Sequence, residues 1–319
     1  MHKVLIIDDV HPLLLEKLEK DNIAYDYYPE IDRPGVLNII AQYTGLVVRS
    51  KTLIDAELIH AGTKLRFIAR AGSGMDNVDE TTAQSKGMQL INVPEANSDA
   101  VGEHTVGMLL MLLNHLNRAD QEVRNHIWKR EANRGMELKG KTVAIIGYGH
   151  TGMAVAKKLS GFDCRLIAYD KYKNNFTDNY VTEVDMATVF READIISFHI
   201  PLTDETFYLV NDDYINMFSK NIVLLNLSRG KVVKLNALVE AMRSGKILAS
   251  GLDVLENERL DTLSVEQQKW FDYLIHSNQT VLTPHIGGWT NESYEKISFF
   301  LSNKISYLAN GLEKKDLKM

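Results

Sequence analysis

Arg229, Glu258 and His285 lie on separate stretches of chain, yet their types suit a single chemistry, the removal of a proton from a hydroxyl beside a carboxylate. A guanidinium grips a carboxylate through two parallel hydrogen bonds. An imidazole takes the proton, and an acid on its other ring nitrogen orients it and stabilises its charged form. Each residue has a plainer reading. Arg229 suits a surface or helix-capping cation, Glu258 is one acid near Glu256, and His285 suits an ordinary loop histidine. A fourth stretch, Gly147-Tyr148-Gly149-His150-Thr151-Gly152, has the G-x-G-x-x-G spacing of a dinucleotide cradle. There Gly147 permits the tight turn, Gly149 lets backbone approach a pyrophosphate, and Gly152 lets helix and strand pack closely. Asp170, 18 residues beyond Gly152, can accept from adenosine ribose hydroxyls and would repel a 2′-phosphate. This favours NAD over NADP, with Lys171 beside it acting in the opposite sense.

The elements that must position these residues alternate between short apolar runs and helix-like segments, the pattern of a parallel α/β sheet. The first series of strands is 4–8, 24–28, 45–49, 67–71 and 89–93, with helical spacing over 12–20 and 55–61. The second is 142–147, 165–170, 194–199, 222–226, 248–254 and 280–284. The glycine motif follows the strand Thr142–Ile146 and opens a helix over 153–159, the context it requires. Arg229, Asp253 with Glu258, and His285 then stand at the carboxyl ends of the last three strands, where such sheets bind ligands. A long apolar helix is expected over 97–117, then a polar helix or arm over 120–134 carrying Trp128. A final helix over 291–310 packs back on the first domain. The expected fold is therefore α/β with two doubly wound parallel-sheet domains: residues 1–96 plus 292–319, and 97–291.

Composition narrows the function classes. The 319 residues are 45% hydrophobic and 24% charged, enough for ordinary globular cores. A net charge of −6 without a basic patch argues against a nucleic-acid partner. The densest basic cluster is the tail Glu313–Lys315. The apolar run Val4–Ile7 is too short for a leader or a membrane span, so a cytoplasmic protein with no membrane partner is expected. The one cysteine, Cys164, reads as packing. Neither it nor His115, His126 and His276 has metal-ligand spacing, so no metal is expected. His104 reads as a satisfied helix histidine. Asp8-Asp9 could mark a receiver-type phosphate acceptor, but the rest of the chain does not fit that class.

Together these stretches resemble the D-isomer-specific 2-hydroxyacid dehydrogenase family. The resemblance runs through Arg70–Val78, Asn92–Glu103 with His104, the glycine motif, His199–Thr203, Asn226–Gly230, Gly251–Val254 and Thr283–Gly288. It implies a flavodoxin-like substrate domain and a Rossmann NAD-binding domain with the active site in the cleft between them. It also implies a homodimer joined through 97–138, and it assigns catalysis to Arg229, Glu258 and His285. Asp253 would contact the nicotinamide carboxamide. His150, Thr151, Ile200, Pro201, Leu227 and Ser228 would line the cofactor, with Arg229, His285 and Gly287 beside it. Ser73 and Gly74 would offer N–H groups to the substrate carboxylate. The chain departs from the family pattern in four places. Arg259 follows Glu258 where proline is usual, and 258–270 reads as a long polar loop. Gly102 replaces alanine, and Trp289 replaces a small residue, where it would narrow or line the substrate pocket.

Arg49 and Arg70 each end a first-domain strand. They resemble the arginines that hold the substrate phosphate in the family's 3-phosphoglycerate dehydrogenases, and Arg130 matches a further one supplied by a partner subunit. Local salt bridges are the plainer reading. The best-fitting substrate is a small 2-hydroxy or 2-keto acid bearing phosphate, 3-phospho-D-glycerate. Glyoxylate or hydroxypyruvate reduction is the alternative, without the phosphate. A non-enzymatic NAD-sensing, corepressor-like protein is an alternative of another class, and a methyltransferase leaves the three catalytic candidates without a role. No serine-binding regulatory domain is expected in this length of chain.

Overall fold

The computed structural model describes residues 3–309. The chain divides into two compact units, Met1–Asn97 with Trp289–Met319, and Ser98–Gly288.

In the first unit, strands β1 (Lys3–Ile6), β2 (Ala24–Tyr27), β3 (Gly45–Val48), β4 (Phe67–Arg70) and β5 (Gln89–Ile91) form a parallel sheet ordered β2-β1-β3-β4-β5. β3 is buried at every residue. That is why its sequence is a continuous apolar run rather than an alternating one: both faces are covered. Helices α1 (Leu13–Lys20), α2 (Arg33–Ile39), α3 (Ala56–Ala61) and α4 (Glu80–Ser85) make the crossovers. Asp32, Asp55 and Asp79 cap α2, α3 and α4, each accepting a first-turn N–H at 2.9–3.1 Å. The C-terminal helix, Asn291–Ala309, buries Ile297, Leu301 and Ile305 in one core with Val4, Ile6, Leu14 and Leu18. The strand order reverses between β1 and β3. Asp8, Asp9 and Arg49 follow the carboxyl ends of those two strands, the usual ligand position in such sheets.

The second unit begins with α5 (Ser98–Leu113) and α6 (Leu116–Arg124). There follow β6 (Thr142–Ile146), α7 (His150–Leu159), β7 (Arg165–Tyr169), β8 (Thr182–Glu183), α8 (Met186–Glu192) and β9 (Ile195–Phe198). The unit is completed by α9 (Asp212–Asn216), β10 (Ile222–Asn226), α10 (Leu235–Arg243), β11 (Ile247–Leu252), α11 (Val265–His276) and β12 (Thr280–Leu282). The sheet runs β12-β11-β10-β9-β6-β7-β8, all parallel. It reverses at β6, so the glycine turn after β6 sits at a topological switch point. α5 packs on α7 closely enough that a Cβ on Gly102 would lie 3.1 Å from Lys158 and 3.2 Å from the Ala154 backbone. This accounts for glycine where the family has alanine.

Several expectations are corrected. The second sheet has a seventh strand, β8, whose two residues leave no apolar run to read. The helix expected over 97–117 breaks at His115, which adopts φ 52°. α6 buries none of its residues, and its apolar Leu116 and Val123 are exposed. α7 starts at His150 rather than 153, because extended Gly149 caps it. The supposed loop 258–270 is largely structured: α11 starts at Val265 behind a capping box formed by Ser264 and Gln267. Asn310 and the tail Glu313–Lys315 lie outside the described residues. Among those described, no helix is long and apolar enough to cross a membrane, and no cluster of three or more metal-capable side chains occurs.

Candidate active site

Three glycines build the cradle after β6. Gly147 adopts φ +90° and lies against the His199 carbonyl and Ile200, and a Cβ on Gly152 would collide with the Gly147 carbonyl. A Cβ on Gly149 would meet nothing within 4 Å, so its face is open to a ligand. His150 and Thr151 form the first turn of α7, whose unpaired N–H groups and positive dipole end suit a pyrophosphate. Asp170 accepts from the Tyr148 N–H and the Tyr172 N–H, both at 2.9 Å, which fixes its carboxylate at the end of β7. Lys171 is paired with Glu205 at 2.7 Å, so its charge is opposed locally. These residues fit a dinucleotide.

The next three loops come from the adjacent strands β10, β11 and β12. Asn226, fully buried, shapes the first. Its Oδ1 accepts from Ser228 N and Oγ at 3.1 and 2.8 Å, and its Nδ2 donates to the Arg229 carbonyl at 2.9 Å. Arg229 donates through Nη1 to the Ser228 carbonyl at 2.7 Å. The loop abuts the next one so closely that a Cβ on Gly230 would run into the Leu255 carbonyl.

On the second loop the two acids separate. Glu256 accepts from the Tyr208 hydroxyl and from Leu235 N–H, so it is occupied structurally. Glu258 instead faces His285, its oxygens 3.0 and 3.1 Å from Nδ1. A carboxylate only accepts, so Nδ1 carries the proton and Nε2 is left as the acceptor. Asn257 brackets the loop. It accepts from Arg259 N–H at 3.0 Å and donates to Thr262 Oγ1 at 3.1 Å.

His285 sits at φ 56°, a conformation side chains rarely adopt. The third loop is held there by Asp253, only 2% exposed. The Asp253 carbonyl accepts the His285 N–H at 2.8 Å. Its carboxylate accepts from Thr283 Oγ1 at 2.6 Å, Ile286 N at 2.8 Å and Gly287 N at 2.7 Å. Thr283 gives its one proton to Asp253, so His104 Nε2, 3.0 Å from Thr283 Oγ1, must be the donor in that pair. His104 is thus a satisfied helix histidine, as its sequence context suggests. Asp253 as organiser of the third loop was not visible in the sequence, because its partners lie on another loop, whereas Asn226 turns its own loop through Ser228 and Arg229, a local Asx-type signal that sequence reading passed over.

Other sequence candidates fall into place locally. Ile200 packs on Gly147, and Leu227 approaches the position a Cβ on Gly287 would take at 3.5 Å. The Pro201 carbonyl accepts from Thr206 Oγ1. Arg130 lies on an exposed turn. Burial raises the Cys164 thiol above its ordinary value, consistent with packing. His199 opens one of the family-like motifs and turns inward. Its Nε2 pairs with Ser197 Oγ at 2.8 Å, Nδ1 is sealed without a partner, and burial lowers the imidazole to about 4.

The first unit brings Arg49 and Arg70 together. Arg70 Nε donates to the Arg49 carbonyl at 3.2 Å, and its guanidinium lies where a Cβ on Gly72 (φ +151°) would be. Arg49 N–H donates to Asp8 at 2.5 Å, but among the described residues its guanidinium makes no ion pair. The guanidinium is stacked instead, 3.7 Å from the Trp289 ring centroid, with Nη2 buried and unpartnered. Burial lowers its pKa from the ordinary arginine value. Ser73 Oγ donates to Asn97 Oδ1 at 2.5 Å, and Asn92 Nδ2 donates to the Ser73 carbonyl at 2.5 Å. Together they fix the turn that carries Gly74.

Residues 106–287 match the family model described as D-isomer specific 2-hydroxyacid dehydrogenase, NAD binding domain. That span contains the glycine cradle, Arg229, Glu258 and His285. The chain is 38% identical over 275 residues to hydroxypyruvate reductase of Thermotoga maritima, covering 86% of this chain and 88% of that protein. It is 30% identical over 312 residues to D-3-phosphoglycerate dehydrogenase of Archaeoglobus fulgidus, covering 97% of this chain and 58% of that protein. It thus spans little more than half the length of that relative. Among solved structures, D-lactate dehydrogenase from Aquifex aeolicus, complexed with NAD and lactic acid, has the same fold. The TM-score is 0.84 over 97% of this chain and 96% of that one, at 23% identity.

Proposed function

The chain belongs to the D-isomer-specific 2-hydroxyacid dehydrogenase family, and we propose that within it the protein oxidises 3-phospho-D-glycerate to 3-phosphohydroxypyruvate, His285 acting as general base. The cofactor is NAD, whose binding domain is the part the family model matches. The turn of Gly147, Gly149, His150 and Thr151, with Asp170, would hold it, and its nicotinamide would supply the hydride acceptor for the carbon bearing the hydroxyl. The rest falls to the chain's own side chains. Nε2 of His285 takes the hydroxyl proton. Glu258, against Nδ1, fixes the tautomer and stabilises the imidazolium. Arg229 grips the substrate carboxylate. Half-exposed His285 then returns its proton to water. In the reverse direction it is the acid.

The observation that carries the dehydrogenase reading is the Glu258–His285 pair, raised on a strained turn next to the Arg229 loop. The phosphate is supported by Arg49, a stacked cation with a buried, unpartnered N–H and no protein acid on its guanidinium. The second reading, hydroxypyruvate reduction, is favoured by the 38% identity to a reductase of that name. A panel of D-2-hydroxy acids with and without a 3-phosphate, assayed with NAD and with NADP, separates them. The proposal expects the highest kcat/KM with 3-phosphoglycerate and NAD. A phosphate that gives no advantage removes the substrate assignment and leaves the family chemistry.

We further propose a homodimer joined through 97–138. Leu116, Val123, Ile127, Trp128 and Met136 are exposed there, and Trp128 is 83% exposed. Apolar side chains gathered on one arm mark a contact surface.

A further inference from the structure

Arg49 directly follows β3 at the switch point of the first sheet, where a ligand is expected. Its guanidinium carbon is 3.7 Å from the Trp289 ring centroid and 5.3 Å from that of Tyr294, and the two rings are 6.4 Å apart. Tyr294 is anchored by donating to Asp9 at 2.6 Å, and Asp9 also accepts from Tyr27. Asp8 accepts the Arg49 backbone N–H rather than the side chain. The acids nearest the guanidinium are therefore engaged elsewhere, and Nη2 is buried with no partner. A guanidinium stays charged at any working pH, and leaving one of its donors unsatisfied is unfavourable. The missing partner has to be an acceptor, and an oxyanion fits best. The indole is 61% exposed, and one of its faces lies on the guanidinium.

We propose that Trp289 is a specificity-determining residue. Its indole holds Arg49 flat and dehydrated, so that the guanidinium edge selects 2-hydroxy acids with a second oxyanion, phosphate or carboxylate, over those ending in a neutral group. This rests on the dehydrogenase reading above but not on the choice of phosphate. A cation over an indole is stabilised by the stacking itself. Losing it weakens recognition of the second anion without touching the reacting carbon.

The test compares D-glycerate, 3-phospho-D-glycerate and D-2-hydroxyglutarate as substrates of the full chain with saturating NAD, for wild type, Trp289→Ala and Trp289→Phe. In wild type, one or both doubly anionic acids should have the lower KM. In Trp289→Ala the KM of the preferred acid, relative to D-glycerate, should rise about five- to tenfold with kcat nearly kept. Trp289→Phe, which retains a stacking face, should recover most of it. A purely structural role would change all three acids alike. If 3-phosphoglycerate is preferred equally by wild type and Trp289→Ala, the inference fails and the phosphate reading stands. If only hydroxyglutarate is preferred and the preference disappears in Trp289→Ala, the inference stands and the phosphate reading fails. Wild-type preference for D-glycerate overturns both.

Discussion

At the scale of single residues, the informative signal is a strained histidine. His285 accepts a left-handed backbone because Asp253 captures the N–H groups of His285, Ile286 and Gly287, and the result is an imidazole aimed with its Nδ1 on Glu258. A general base contributes roughly 10^2–10^4 in rate. Steady-state assays of His285→Ala should show kcat/KM lower by a factor in that range. Turnover within a few-fold of wild type would mean that another group takes the proton. Asn257 makes a subtler case. The family's proline is replaced by Arg259, and the Asn257 side chain ties Arg259 and Thr262 together in its place. Asn257→Ala should lower kcat severalfold while leaving the thermal midpoint within about 2 °C, because the residue is only partly buried and its side chain supports only the loop. A variant with wild-type kcat would show that Glu258 holds its pose unaided.

At the scale of elements, close approaches of backbone decide what can change. Gly230 faces the Leu255 carbonyl and Gly152 the Gly147 carbonyl, neither of which is a flexible side-chain end. Gly230→Ala should abolish activity or soluble expression. Gly107→Ala, mid-helix in α5 with open space around it, should stabilise by roughly 0.5–1 kcal/mol in urea unfolding. The reverse ranking would contradict the packing. The same elements show what the sequence could tell. The buried parallel strands announce themselves as apolar runs, and Arg229, Glu258 and His285 stand out because charged groups at successive strand ends have few structural uses. β8 offers only two residues to read, and α6 and α11 are mostly solvent-exposed, so their apolar positions are interleaved with many polar ones. For α11 a signal does exist in Ser264-x-x-Gln267, the capping box, but the polar residues around it read equally well as loop. The role of Asp253 depends on which loops meet, and no local pattern encodes that, whereas Asn226 and Asn257 bind residues of their own loops and leave a local signal in an Asx-type turn.

At the scale of the whole molecule, stability should depend on pH through His199. Its folded pKa of about 4 lies below the ordinary value of 6.5, so the fold favours the neutral ring. The resulting stabilisation is complete above 6.5 and is lost as pH falls from 6.5 toward 4, on the order of 2 kcal/mol. Carboxylates lowered by their partners, such as Asp26 beside Lys3 and Asp55 beside Arg33, extend the loss to lower pH. Urea midpoints at pH 7 and 4.5 should differ, and His199→Gln should flatten the curve between them; an equally steep curve would exonerate His199. The two-unit layout has a consequence for synthesis. The sheet of the first unit leaves the ribosome before the second unit, but the helix Asn291–Ala309 that closes its core emerges only after it. At ordinary elongation rates the uncovered face of Leu14 and Leu18 waits roughly ten to forty seconds for that helix. During that interval the nascent protein exposes a hydrophobic surface for a chaperone to shield, and a chain stopped just short of residue 291 would keep it permanently.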